Sequence, residues 1–270
     1  MFNSEHPIIC AAMNQIYSYE FACACLDAGI TYGFFVQMIP SQDLKKLVEK
    51  YGPNRCIVSL SLNKKNLFAV KTVVDYGVKN IEVTTVKNQP TSTDYLQYLK
   101  DKNHILYCKR NISNINLFDG VVVKGSEAAA RGGQSILSHE FDTAMREYKG
   151  KHLIASGGIH NKKLVDYYIA LGAQAVSIGT MFAASAESPL SAEAKQQIIN
   201  TNKNKLTRFS NSQQALVFSK QSEDDENNTS SLKKGIQTGK QGHLFVGHAV
   251  DHITKIKSVA EIVADLTETG

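Results

Sequence analysis

The sequence predicts an α/β fold, a (β/α)8 barrel, and three observations carry that prediction. Short apolar runs rich in β-branched residues recur eight times between Pro7 and Thr180. Segments of helical period separate them. Most of the runs, such as IIC, GFFV and GVVV, are apolar nearly throughout, as parallel strands are when helices cover both faces of a sheet. Eight such units in about 180–200 residues leave few other arrangements once crossovers are right-handed. An open doubly wound sheet is the alternative, disfavoured because evenly spaced units show no reversal point.

The units follow in order. The first run covers residues 7–13 and a helical stripe covers 19–28; runs at 32–36 and 55–62 flank a helix over 41–51. A helix over 66–76 leads to the fourth run, 80–86, and one over 93–101 leads to the fifth, 105–109. LDAGI, VDYGV and IALGA each place a glycine just past the last helical turn, where a left-handed residue closes a helix. The fifth unit is abnormal. RNISNINLFD, between Lys109 and Gly120, is too short for a helix and two loops, so a single turn or none is expected there. The sixth run is 120–125, with a helix over 138–148; run 152–159, helix 161–171 and run 175–180 complete the cylinder. A short helix over 181–186 and a longer one over 191–200, opened by Ser191, come next.

Residues 201–240 change character. NTNKNK, SNSQQ and QSEDDENNTSS hold little apolar content, so this stretch is expected to be a mobile polar excursion, a lid over the mouth. Helical period returns in ITKIKSVAEIVADL, residues 253–266, which should dock on the barrel. The expected organisation is a barrel over 1–200, a flexible excursion or lid over 201–240, and a C-terminal segment and helix over 241–270.

Composition narrows the function. Of 270 residues 43% are hydrophobic and 20% charged, ordinary globular usage. The formal charge of +5 is spread along the chain and forms no basic stripe, which argues against nucleic acid. No apolar run approaches the roughly 20 residues of a membrane span, and MFNSEHPIICAAM has neither a basic leader nor a long apolar stretch. A cytoplasmic protein that binds no membrane is expected. Cys10, Cys23, Cys25, Cys56 and Cys108 are odd in number and lack metal-ligand spacing, so they read as reduced core thiols.

In such a barrel the chemistry sits where the strands end. The seventh run ends in Ser156-Gly157-Gly158-Ile159 and the eighth in Gly179-Thr180, one helix and one strand apart. Two glycine-bearing turns side by side let backbone N–H groups press against an anion, and a helix beginning near Met181 adds its positive end. A phosphate site is expected; tight turns that bind nothing are the alternative. Thr180 is either a further hydroxyl donor or a satisfied core threonine. His243, His248 and His252 fall in no register that brings all three together, so no metal site is expected.

Several motifs together resemble the nitronate monooxygenase family, formerly called 2-nitropropane dioxygenases, which includes flavin-dependent enoyl-acyl carrier protein reductases. They are Pro7-Ile8-Ile9-Cys10-Ala11-Ala12-Met13, SYEFACACLDAG, VVVKGSEAAARGG, IASGGI, ALGAQAVSIGTMF and Glu187-Ser188, with a weaker echo in GHLFVGHAVDHI. The resemblance implies an FMN-linked TIM barrel whose cofactor phosphate rests on Gly157, Gly158, Gly179 and Thr180, beside Ser156. Ala11, Ala12 and Met13 would flank the isoalloxazine ring. Ser59 stands where the family has asparagine, and Lys124, before Gly125, where it has glutamine. A lysine at the N1–C2=O edge would stabilise the anionic reduced flavin, and a solvated strand-end charge is the alternative. NADH or NADPH would serve as reductant for a small-molecule or acyl-thioester substrate, with a homodimer as the candidate assembly.

One departure bears on catalysis. Where the family carries Glu-Ala-Gly-Gly-His, this chain has Glu127-Ala128-Ala129-Ala130-Arg131. Arginine cannot take a proton at neutral pH, which weakens nitronate chemistry, but it holds an anion or polarises a carbonyl. The catalytic group stays open, with Arg131 and His248 as candidates and His160 placed beside the phosphate turn. Glu127 is either a carboxylate behind the site or a loop cap. A flavin-binding barrel without turnover, and a flavin-free phosphosugar lyase using Lys124, are the readings from other classes.

Overall fold

The computed structural model describes residues 2–61, 67–84, 92–109, 115–209, 213–218 and 229–268. Its centre is a closed parallel barrel of eight strands. Strands β1 (Ile8–Cys10), β2 (Thr31–Phe35), β3 (Cys56–Leu60) and β4 (Asn80–Val83) alternate with helices α1 (Tyr19–Asp27), α2 (Ser41–Tyr51) and α3 (Leu67–Asp75). Helix α4 (Thr93–Asp101) leads to β5 (Ile105–Lys109), and a 3-10 turn at Ile115–Leu117 is the only helical element described before β6 (Gly120–Lys124). A two-residue strand outside the barrel, β7 (Ala130–Arg131), precedes α5 (Leu137–Glu147), β8 (His152–Ser156), α6 (Lys162–Ala170) and β9 (Ala175–Ile178). Cys10 pairs with both Tyr32 and Ile178, which closes the cylinder.

The physical reasons match the sequence pattern. Both faces of β1 and β3 are buried along their whole length. One face packs into a small inner core of Ile9, Ile57, Tyr107, Val122 and Ile154, sealed at the N-terminal end by Phe2 stacked on Tyr107. The other meets the helices in one continuous outer core. Ser18, Asn161 and Ser191 each accept a hydrogen bond from a first-turn N–H, which fixes where α1, α6 and a later helix begin. The glycine stops at Gly29, Gly77 and Gly172 all take positive φ. The ends of the third and fourth runs, at 62 and 85–86, and the start of the third helix, at 66, lie outside the described residues.

After the barrel come α7 (Thr180–Ala183), α8 (Ala192–Ile199), β10 (Thr207–Arg208), β11 (Gln213–Val217), α9 (Thr229–Thr238), β12 (His243–Leu244) and α10 (Val259–Thr267). The described residues of 201–240 form helix and strand where a polar excursion is expected. β11 pairs antiparallel with β10, β12 and β7, so that strand is stitched to the loop that follows β6. Phe209, Ala215, Leu216, Leu232 and Ile236 are buried. Composition misleads because each short element carries few apolar residues and finds its partners far along the chain. Much of the acidic run, 219–228, lies outside the described residues. The closing helix also starts later than its period indicates, at Ser258, whose hydroxyl and the Glu261 carboxylate form a capping box. No helix among the described residues is long and apolar enough to cross a membrane.

Candidate active site

A cavity of about 430 Å³ opens at the C-terminal mouth of the barrel, within the size range of small-molecule sites. Ala11, Ala12, Met13, Ser59, Lys124, Ser156, Gly157, Gly158, Gly179 and Thr180 all line it. Strand register explains the convergence. Lys124 pairs with Ser156, Ser156 with Ser177, and Ser59 with Glu82, so one tier of the barrel presents polar side chains to its mouth. Gly125 is the exception. It is buried behind the wall, where its N–H donates to Ser156 O at 3.0 Å and its carbonyl accepts from Ala128 and Gly133 at 3.1 and 3.0 Å.

The two glycine turns meet as the spacing predicts. Gly157 and Gly158 have φ of 127° and 68°, open to glycine and strained for other residues. Among the described residues, the N–H groups of Gly157, Gly158 and Gly179 donate to no carbonyl. Thr180 is buried and its Oγ1 accepts from Gly247 N–H at 2.9 Å, which leaves its own proton for another acceptor. Helix α7 lasts one turn, so its dipole adds less than a long helix would. Ser59 Oγ is buried with no hydrogen-bond partner among the described residues, a cost of about 1–3 kcal/mol unless a ligand satisfies it.

The loop after β6 forms the adjoining wall. Glu127 is a loop cap: both its carboxylate oxygens accept from Leu137 N–H, at 3.0 and 3.2 Å, at the start of α5. Its backbone carbonyl accepts from His248 N–H at 2.9 Å. Arg131 is exposed on β7, its backbone paired with β11, and it lines the cavity rim. Ala130 holds φ at 53°, a conformation that costs a residue with a Cβ about 1–2 kcal/mol. Ala130→Gly is therefore expected to raise stability by about 0.5 kcal/mol after the entropy of the freer unfolded chain is subtracted, as read from the urea midpoint.

The structure does not bring His248 or His160 to this cavity. Both line a second one of about 210 Å³ that shares Glu127, Gly157, Gly158 and Ile159 with the first. Burial holds the His248 pKa below its ordinary value, against an opposing pull from Glu127. Among the described residues no histidine lines the larger cavity. Sequence reasoning missed Glu82 and Thr84 on its floor and Leu232, Leu244 and Phe245 in its roof. The register of β4 against β3 signals the first of these, and nothing local signals the roof.

The sequence profile of the nitronate monooxygenase family matches residues 36–269. The chain belongs to that family. As a nitronate monooxygenase family member it shares its fold with FabK from Thermotoga maritima, at a TM-score of 0.80 and 21% identity over 98% of this chain and 92% of that one. Nitroalkane oxidase from Streptomyces ansochromogenes follows at 0.76 and 15%, over 98% and 95% of the two chains. The enoyl reductase domain of MlnA, from the macrolactin biosynthesis cluster of Bacillus amyloliquefaciens, gives 0.61 and 13%, over 89% and 74%. At these identities the likeness establishes the fold. No curated protein matches the chain in sequence.

Proposed function

We propose that this family member is an FMN-dependent oxidoreductase that takes electrons from NADH or NADPH and delivers them to an unsaturated acyl thioester. The observation that carries the reading is the cradle of undonated N–H groups on Gly157, Gly158 and Gly179, facing one cavity with the orphaned Ser59 hydroxyl. Those donors and the Thr180 hydroxyl suit a phosphate dianion. Ala11, Ala12 and Met13 would flank the ring, and Lys124 would set an ammonium against negative charge on its pyrimidine side. Bound flavin supplies the two-electron step. Arg131 at the rim would hold an anion or polarise the thioester carbonyl, and Leu232, Leu244 and Phe245 would shelter an acyl chain from water. A cytoplasmic location and no nucleic-acid partner complete the reading, supported by cysteine usage and charge distribution.

The test is the visible spectrum of the purified protein with mass identification of any released cofactor, followed by nicotinamide oxidation with an enoyl thioester and with a nitroalkane. Bands near ~370 and ~450 nm and turnover of the thioester are expected. A colourless protein that takes up no FMN would overturn the reading. A second reading, a flavin-binding barrel without turnover, is favoured by the lack of a histidine in the larger cavity among the described residues. A yellow protein that oxidises neither nicotinamide with any acceptor would establish it.

A further inference from the structure

The second cavity touches the same glycine turn. Glu127, Gly157, Gly158 and Ile159 line both cavities, so the two adjoin at this turn. Into the second cavity project His160, next in sequence to the turn, and His252, from the 3-10 segment after β12. Their rings stack face to face, 3.4 Å apart and 3° from parallel. His160 Nδ1 lies 2.7 Å from the carbonyl of Gly158. Only an N–H can satisfy a carbonyl, so Nδ1 carries the hydrogen.

We infer that the stacked His160–His252 pair couples binding of a phosphate dianion on the Gly157–Gly158 turn to uptake of one proton, so that FMN is held more tightly as pH falls toward 6.5. This rests on the FMN reading above. Two imidazolium rings in face-to-face contact repel each other, so a charge on one ring disfavours a charge on the other. In the free protein burial, then the charge of His160, hold His252 below its ordinary pKa. A dianion on the turn adds to the favourable charge that Asp251 supplies to His252, and by linkage the proton it draws in strengthens its own binding.

The other charged groups facing the pair leave it as the element able to change state. Lys203 and Asp251 satisfy each other, through a 3.6 Å ion pair and a 2.7 Å bond from Lys203 N–H to Asp251 Oδ1. Glu127 is committed to Leu137 N–H, Tyr168 on α6 has its phenol pKa raised by burial to about 12, and burial lowers the His248 pKa against the opposing pull of Glu127 and Asp251.

The test is titration of the apoprotein with FMN and with riboflavin, which lacks the phosphate, from pH 8 to pH 6.5. FMN affinity is expected to rise about fivefold across that interval, with riboflavin affinity flat and the FMN slope lost in His160→Gln and His252→Gln. Calorimetry of the wild type in two buffers of different ionisation enthalpy should show net proton uptake at pH 7.5. The phosphate's own titration contributes with the opposite sign, because binding to N–H donors favours its dianion. Absence of proton uptake, or an FMN slope preserved in both variants, would overturn the coupling while leaving FMN binding intact. Failure to bind FMN at any pH would overturn the functional reading as well.

Discussion

Gly179→Asp should give a folded protein that no longer retains flavin. The backbone tolerates the change: Gly179 sits at φ −108°, ordinary for any residue, and a Cβ there would meet Ala11 Cβ and Met13 Sδ at 3.7 Å, normal contact distance. Steric strain is therefore absent and the effect is electrostatic. The new carboxylate points into the cavity whose N–H groups are to hold a phosphate. Two like charges about 4 Å apart at a partly buried site repel by roughly 4 kcal/mol, which exceeds the 1.4 kcal/mol of a tenfold change in affinity. Loss of at least about 100-fold in FMN affinity is expected, with Gly179→Ala retaining the cofactor as the steric control. Equal flavin content in wild type and Gly179→Asp would place the phosphate elsewhere. A parallel change at Gly157, φ 127°, would test little, because strain and charge would act together.

The contrast between these glycines marks what the chain reveals about itself. The barrel was legible because each unit is local: an apolar run, a stripe, a cap such as Ser18 and a stop such as Gly29 all fall within a few tens of residues. The two glycine turns were legible for the same reason, since Gly157-Gly158 and Gly179 belong to consecutive units. Glu127 was readable only as a choice between two roles, because its partner, Leu137 N–H, depends on how the loop folds back. His160 and His252 meet only because the 3-10 segment at His248–His252 returns to the glycine turn from far along the chain. The roof escaped altogether. QQALV reads as part of a polar tract until its antiparallel partners, Ala130-Arg131 upstream and His243-Leu244 downstream, are known.

That roof supplies the second large effect, expected for Gly235→Ala. Gly235 lies inside α9, where alanine is ordinarily the better helix former by about 1 kcal/mol, so propensity alone favours the variant. Packing reverses the sign. A Cβ at Gly235 would collide with the backbone carbonyl of His243 and lie 3.1 Å from its nitrogen, so α9 must lift off β12. Backbone cannot swing aside as a side-chain tip can, and forced overpacking of this kind costs about 1–3 kcal/mol or more. Leu232 and Ile236 on the same helix, both buried, would lose contact together. The expected result is a lower denaturation midpoint, faster proteolysis within residues 229–242, and, because Leu232 and Leu244 line the larger cavity, quicker loss of bound flavin on dilution. Lys234→Ala, at an exposed neighbour, should leave all three unchanged. If 201–240 were a mobile excursion in solution, Gly235→Ala would be silent or slightly stabilising, so the sign of one alanine substitution decides whether the mouth of the barrel is roofed.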